Sequence, residues 1–218
     1  MLNEHLLQCK IEEGEFGILR LEQMGVPYEI FKNAAIKGFN MQKNKSKYSL
    51  PLCKGLAFFD NMLIKVRSQL CLLDKWTIDD GYNVNRTIAP NQEFAIVLSS
   101  GNDYVGSDLS PSNKNKKGNV SQTVIAISTS TQLKLFDTTP YSNKYNITEI
   151  PHWFLLYRIV GKTIHLELSL PRGVKEGYIT NWIERIILPP IDTTKEKITT
   201  LDSLKTNKIE DISLRKKY

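Results

Sequence analysis

Residues 153–170 read WFLLYRIVGKTIHLELSL and contain two strand-forming runs separated by two residues. The first run, 153–160, is rich in aromatic and aliphatic side chains, and the second, 163–170, alternates apolar with polar residues. Gly161-Lys162 between them is typical of the two-residue turn of a β-hairpin. The alternation in the second run predicts a strand with one buried face.

Further strand patterns lie on both sides of this hairpin. Upstream, residues 82–88 and 93–99 predict a second antiparallel hairpin. The segment 100–119 is rich in Gly, Ser, Asn and Lys and predicts an exposed, mobile loop, after which 120–127 (VSQTVIAI) predicts a strand,. Downstream, residues 178–188 fit a short helix, a strand, or one followed by the other.

The N-terminal third of the chain shows helical periodicity instead. Residues 15–24 and 27–37 predict two short helices, separated by Gly25 and with Gly38 closing the second. A longer helix is predicted at 56–74, where apolar residues recur every three or four positions. Runs of helix followed by runs of strand predict an α+β fold, with N-terminal helices packed on a largely antiparallel sheet.

These patterns divide the chain into three predicted regions. Residues 1–54 form a helical region that ends in a basic linker, 43–54. Residues 55–192 form the α+β core, which contains an exposed segment, 128–151, without a sustained period. Residues 193–218 form a polar, charged tail, which is expected to fray.

The composition is that of an ordinary globular protein: 218 residues, of which 41% are hydrophobic and 24% charged,. No apolar run approaches the roughly 18 residues needed to cross a bilayer, so no membrane partner is expected. Cys9, Cys53 and Cys71 are few, odd in number and widely spaced, which favours a reducing, cytoplasmic setting. No zinc-site spacing occurs, and neither a metal nor a cofactor is expected.

The net charge of +6 is concentrated in lysine-rich segments. Residues 32–54 hold six lysines and residues 112–118 hold three, and neither segment contains an acidic residue. Clustered lysines are the usual footprint of phosphate contact, so DNA is an expected partner. The predicted nucleic-acid-binding residues are Lys43, Lys45, Lys47, Lys114, Lys116 and Lys117. The alternative is a solvated basic face without a partner.

A short apolar motif, QLKLF at residues 132–136, lies within a stretch rich in Ser, Thr, Asp and Pro. It resembles the peptide by which bacterial polymerases and repair proteins dock on the replication sliding clamp, whose usual form is Gln-Leu-Ser/Asp-Leu-Phe. The match covers four of five positions, with a lysine where a small or acidic residue is commoner. The resemblance implies that Leu135 and Phe136 fill a deep apolar pocket. It also implies that Leu133 fills a shallower pocket and that the Gln132 amide fixes the register.

The leading interpretation is a non-catalytic accessory protein that docks on the bacterial DNA polymerase sliding clamp and contacts DNA with its lysine-rich surfaces. The chain as a whole also resembles uncharacterised proteins of bacterial chromosomes and mobile elements, through stretches similar to AIVLSSGNDYVG and LELSLPRGV. In one alternative the motif is a short edge strand with its Leu and Phe side chains buried. The protein would then be an interaction module for another protein.

A second alternative is a metal-dependent DNA-acting enzyme, such as a nuclease of a mobile element or defence system. Its candidate residues are Asp103 and Asp108 in the predicted loop, and Glu167 on a predicted strand. A nuclease of the restriction-endonuclease type carries Glu-x-Lys on that strand, whereas this chain has Glu167-Leu168-Ser169. The absent lysine weakens the nuclease interpretation.

Overall fold

The structure is a computed structural model that describes residues 8–73, 75–133, 147 and 149–195, with residues 128–133 described for the backbone alone. Within these ranges the chain forms four helices and an eight-stranded mixed sheet. The helices lie mostly towards the N-terminus, so the α+β prediction is confirmed. None of the helices in the described part of the chain combines the length and the hydropathy needed to span a bilayer.

The helices are α1 (Gly14–Gln23), α2 (Tyr28–Lys43), α3 (Pro51–Leu73) and α4 (Asn119–Leu133). The strands are β1 (Lys10–Glu13), β2 (Thr77–Asp79), β3 (Arg86–Ile88), β4 (Ala95–Ser100), β5 (His152–Val160), β6 (Thr163–Lys175), β7 (Tyr178–Ile187) and β8 (Ile191–Asp192).

The order of strands in the sheet is β1-β7-β6-β5-β4-β3-β2, and β8 pairs with β6 off this path. The pairs β1–β7 and β4–β5 are parallel, and the remaining pairs described are antiparallel. Both predicted hairpins are confirmed, β3–β4 and β5–β6, the latter with its turn at Gly161-Lys162. The ambiguous segment near residue 180 is strand β7, because it pairs with β6 on one side and β1 on the other.

Two helix boundaries differ from the prediction, and local packing explains both. Helix α2 runs through Gly38 to Lys43. A β-carbon at Gly38 would lie 2.7 Å from the backbone oxygen of Phe58, so this glycine permits close packing of α2 on α3 rather than ending α2,. Helix α3 begins at Pro51, inside the predicted basic linker, because proline is well tolerated in the first turn of a helix,.

The strand predicted at 120–127 is wrong, because these residues belong to helix α4. Strands β4 and β5 are parallel neighbours, so the chain between them must cross back over the sheet, usually as a helix,. Val124, Ile125 and Ile127 are buried in that crossover. Their β-branched side chains favour a strand in isolation, and tertiary packing overrides the preference. The helix also includes residues 128–133, which lay in the segment without a sustained period.

Apolar side chains pack on both faces of the sheet. On one face, helices α1–α3 cover strand residues that include Leu155, Leu166 and Leu168. On the other face, α4 covers residues that include Phe154 and Leu156. Because successive side chains of a strand point to opposite faces, β5 contributes to two cores at once.

Candidate nucleic-acid interface

A cleft of about 680 Å³ opens at the carboxyl ends of the parallel strands β4 and β5. Its other walls are the end of α2, the first turns of α3, and the loop 101–118 that leads into α4. In sheets with parallel strands, ligands commonly bind in the crevice outside the carboxyl ends. We name it the lysine cleft after three of its lining residues; the lining includes Gln42, Asp103, Lys114, Lys116, Lys117, Tyr157 and Arg158.

Positive charge dominates the lysine cleft. Its lining has one carboxylate, that of Asp103, and four cationic side chains: Lys114, Lys116, Lys117 and Arg158. Arg158 also donates a hydrogen bond to the backbone oxygen of Asp103, which fixes its guanidinium at the edge of the cleft. Helix α4 begins at Asn119, directly after the lysine run, and its amino-terminal dipole adds partial positive charge,.

The second lysine-rich segment borders the same cleft. Gln42, near the end of α2, and Leu52, in the first turn of α3, both line it, and residues 44–50 connect the two helices. The exposed lysines on or next to this connection are Lys43, Lys45 and Lys47. No carboxylate of the described residues forms an ion pair with any of them. Three of the predicted nucleic-acid-binding residues, Lys114, Lys116 and Lys117, therefore line the cleft, and the other three lie between its lining residues Gln42 and Leu52 in the chain.

The loop 101–118, which carries three of these lysines, is anchored by a buried ion pair. Arg185 on β7 donates two hydrogen bonds to Glu167 on β6, of 3.1 and 2.8 Å. Glu167 also accepts a 2.9 Å bond from the backbone nitrogen of Gly106, and Arg185 donates one to the backbone oxygen of Ser107. Composition predicted a mobile loop, whereas these bonds tie its backbone to the middle of the sheet.

A second set of bonds fixes the end of the loop nearest the lysines. The backbone nitrogen of Lys117 donates a 2.8 Å hydrogen bond to the backbone oxygen of Gly177, in the turn between β6 and β7. The Asn113 amide donates to the same oxygen at 2.9 Å and accepts from the backbone nitrogen of Ile179 at 2.8 Å. Gly177 has a φ of +86°, a left-handed conformation that favours glycine,. The turn and the lysine run are therefore held in register.

Lys117 differs from the other lysines of the cleft because its amine is largely withdrawn from solvent. Its Nζ donates a 2.7 Å hydrogen bond to Oγ of Ser99, near the end of β4. Burial lowers the pKa of Lys117 to about 8, because desolvation penalises the ammonium form,. The ring centroid of Phe154 lies 5.8 Å from Nζ, near the outer limit of a cation–π contact, and this weak attraction does not offset the effect of burial,.

The three acidic residues considered for metal-dependent catalysis are not brought together. Asp103 lines the lysine cleft, whereas Asp108 lines a separate cavity of about 250 Å³. Glu167 is buried in its ion pair with Arg185. Among the residues that the structure describes, no group of three His, Cys, Asp or Glu side chains is arranged to hold a metal ion.

The QLKLF motif, residues 132–136, starts at the end of α4. Gln132 and Leu133 are the last two residues of that helix, where an irregular segment was expected. Leu135 and Phe136 lie outside the described residues. Helix α4 therefore leads from Asn119, two residues after the cleft-lining Lys117, to the QLKLF motif, a distance of about 21 Å at 1.5 Å per residue,.

Two polar residues of the cleft, Ser99 and Arg158, have no sequence signal of their own. Both lie on strands, and the parallel pairing of β4 with β5 brings them to the same end of the sheet as the lysines. The sequence would have indicated these two residues only if 119–133 had been predicted as a helix. Such a helix implies a crossover, and a crossover implies that the two carboxyl ends are adjacent.

Comparison of the chain with protein-family models, with curated proteins and with solved structures gave no significant match in any of the three searches.

Proposed function

We propose that the protein is an accessory protein that binds nucleic acid at the lysine cleft and docks on the bacterial sliding clamp through residues 132–136. The observation that carries the proposal is the lining of one cleft by Lys114, Lys116 and Lys117, together with Gln42 and Leu52, the two residues that flank the lysine-rich segment 43–47 in the chain. DNA is the expected nucleic acid. The cytoplasm is the expected compartment, since all three cysteines are free thiols,.

The chemistry of the cleft suits a phosphate backbone. Five lysines at or beside the cleft are exposed: Lys43, Lys45, Lys47, Lys114 and Lys116. Each ammonium that neutralises a phosphate releases a condensed counterion, which is the main source of affinity in non-specific binding. The cleft also presents hydroxyl and amide groups, including those of Ser100, Asn115 and Tyr157, of the kind that bond phosphate and sugar oxygens,.

The clamp-docking component rests on the resemblance of QLKLF to the docking peptide and on its place at the end of α4. Burial of three apolar side chains contributes roughly 1.5–3 kcal/mol each, and ordering the segment cancels much of this. The expected dissociation constant is therefore on the order of a micromolar. A contact of that strength becomes effective when a second contact, here with DNA about 21 Å away along α4, is made by the same molecule.

Equilibrium binding across a salt series tests the nucleic-acid component. The fluorescence anisotropy of a labelled duplex of roughly 20 base pairs is measured between about 50 and 200 mM salt. With about five phosphate contacts, the affinity is expected to fall about 500-fold over this range. Absence of binding at the lowest salt, or an affinity that does not change with salt, would overturn the proposal.

A further inference from the structure

Lys117 has surroundings that phosphate contact does not require. A lysine that binds phosphate works best when its ammonium group is exposed, as those of Lys114 and Lys116 are placed to be,. Lys117 is instead partly buried, with its Nζ held 2.7 Å from Oγ of Ser99. Withdrawal of a lysine amine from water is the usual way in which proteins turn it into a nucleophile.

We propose that Lys117 is a nucleophilic amine that forms an imine with the aldehyde of an abasic site in a nucleic acid held in the lysine cleft. The inference rests on the proposed nucleic-acid binding and names a substrate class for it. The ring-opened sugar of an abasic site carries an aldehyde between two phosphates. The exposed lysines around the cleft bind such phosphates, while Lys117 lies among them with its amine beside Ser99.

Lys117, rather than Ser99, is the nucleophile of this pair. Ser99 is only 2% exposed, so its Oγ is shielded from a reacting carbon. That hydroxyl also donates a 3.3 Å hydrogen bond to the backbone oxygen of Ser100, which leaves the Oγ lone pairs to accept from Lys117. Lys117 is more exposed than Ser99 and lines the same cleft.

Protonation is the main obstacle to a lysine nucleophile at neutral pH, and burial reduces it here. With its pKa lowered to about 8, Lys117 is neutral in about one molecule in ten at pH 7, against fewer than about one in a thousand for an ordinary lysine,. The other charged groups that line the cleft are Lys114, Lys116, Arg158 and Asp103. Burial also raises the pKa of Tyr157 to about 12, so this phenol stays neutral.

The reaction is a condensation that needs no oxidant or reductant. The lone pair of Nζ attacks the aldehyde carbon, a C–N bond forms, and the carbonyl π electrons move to oxygen. A proton passes from nitrogen to that oxygen to give a carbinolamine. The second nitrogen-bound proton is lost as the hydroxyl leaves, so that one water is released for each C=N bond formed. The Ser99 hydroxyl, 2.7 Å from Nζ, is placed to relay these protons,.

Borohydride trapping tests the inference on the full chain. The protein is incubated with a single-stranded oligonucleotide that carries one abasic site, and sodium borohydride reduces any imine to a stable secondary amine. Peptide mapping by mass spectrometry then locates the modified residue. The expected result is one adduct, on Lys117. An adduct on another lysine, or on the terminal amine, would overturn the inference.

Matched variants separate the reactive amine from charge and folding. Lys117→Arg keeps the cation and a donor for Ser99 but cannot form an imine, so the trapped adduct should fall at least about tenfold. Lys75→Arg should leave the adduct unchanged, because Lys75 follows the far end of α3 from the turns that line the cleft. Unaltered adduct formation by Lys117→Arg would contradict the inference without any question of misfolding.

Two further probes distinguish this inference from the proposed function. An oligonucleotide with a tetrahydrofuran in place of the abasic sugar has no aldehyde and reports non-covalent binding alone. If it binds while the abasic oligonucleotide is not trapped, the inference fails and the proposed function stands. If neither oligonucleotide binds, both fail. The second probe is pyridoxal 5′-phosphate, a small phosphorylated aldehyde. If it is trapped on Lys117 and abasic DNA is not, the substrate is a small aldehyde rather than a nucleic acid, and the inference is overturned.

Discussion

Glu167 and Arg185 form a buried ion pair between neighbouring strands, with a closest distance of 2.8 Å and exposures of 0% and 2%. Arg185 bonds both carboxylate oxygens, and Ser169 donates a further 2.8 Å hydrogen bond to Oε1. The same two side chains hold the backbone of Gly106 and Ser107. The loop that carries the cleft lysines is therefore anchored by charge in the interior of the protein.

Replacing one partner of this pair is expected to be costly. Glu167→Gln leaves the guanidinium of Arg185 buried without its counter-charge, and the free energy of unfolding should fall by roughly 3–5 kcal/mol. The double change Glu167→Gln with Arg185→Met removes both charges and should cost much less than the sum of the two single changes. Urea unfolding measures all three variants. Strictly additive costs would show that the pair does not act as a unit.

Stability should also fall in mild acid because of His152. Burial, with the nearby charge of Arg86, lowers the pKa of His152 to about 4 in the folded protein, from 6.5. His152 binds a proton more readily in the unfolded chain than in the folded protein. The stability that the neutral, buried His152 contributes is therefore complete above pH 6.5 and is lost as the pH falls towards 4,. Protonation of His152 should lower the free energy of unfolding by roughly 3 kcal/mol.

Comparison with His152→Gln isolates this effect. Protonation of other groups lowers the stability of both proteins in acid; one such group is Asp80, whose pKa is lowered mainly by a hydrogen bond from Arg67. The difference in free energy of unfolding between the two proteins therefore reports His152. The difference should narrow as the pH falls from 6.5 to 4,. A difference that stays constant with pH would show that His152 does not carry the effect.

The turn at Gly177 should control nucleic-acid binding through the lysine run. A β-carbon there would lie 2.6 Å from Cγ of Lys116 and 2.7 Å from the backbone oxygen of Lys117. Gly177→Ala must therefore displace these residues, and oligonucleotide affinity should fall severalfold. Gly161→Ala is the matched control, because Gly161 also has a positive φ, of +59°, but nothing lies within 4 Å of its β-carbon position.

Both glycine variants should lose roughly 1–2 kcal/mol of stability from the strained backbone, and Gly177→Ala should lose more because its β-carbon also meets the backbone oxygen of Lys117. The fluorescence anisotropy of labelled DNA then shows whether binding is weakened by backbone strain or by displacement of Lys116 and Lys117. If Gly161→Ala weakens binding as much as Gly177→Ala does, general destabilisation and not the position of the lysines explains the loss.

Clamp docking should depend on the apolar end of the peptide. The double change Leu135→Ala and Phe136→Ala removes the side chains that the resemblance places in the deep pocket, and affinity for purified sliding clamp should fall at least about 100-fold. The control is Tyr104→Ala with Leu109→Ala, two side chains that are 46% and 59% exposed in the anchored loop. Surface plasmon resonance compares the three proteins, and equal binding by all of them would remove the clamp from the proposal.

Local patterns predicted the elements whose structure is decided locally. The hairpin β5–β6 follows from a two-residue turn between two strand runs, and α1 follows from helical periodicity closed by Gly25. Helix α4 was missed because Val124, Ile125 and Ile127 have strand propensity. Only the parallel pairing of β4 with β5 requires a crossover there,.

The lysines of the candidate site could be identified in the sequence, but their proximity in the folded protein could not. It depends on the order of strands, which joins residues far apart in the chain. Glu167 was expected on an exposed strand face because it alternates with leucines. It is buried because helix α4 and the loop 101–118 cover that face of β6, and Arg185, which lies opposite Ser169 on the adjacent strand, reaches the Glu167 carboxylate.

The most direct measurement compares the salt dependence of DNA binding in two variants of equal charge. In one, Lys114 and Lys116, which line the cleft, and Lys43, which follows the lining residue Gln42, are changed to Gln. In the other, Lys10, Lys75 and Lys195 are changed to Gln; Lys10 and Lys195 already pair with carboxylates.

The cleft variant should bind weakly, and its slope of log affinity against log salt should be shallower than that of the wild type by about 2 to 3. The control variant, with the same net charge, should keep a slope close to that of the wild type. Equal slopes in the two variants would contradict the assignment of the lysine cleft as the nucleic-acid site.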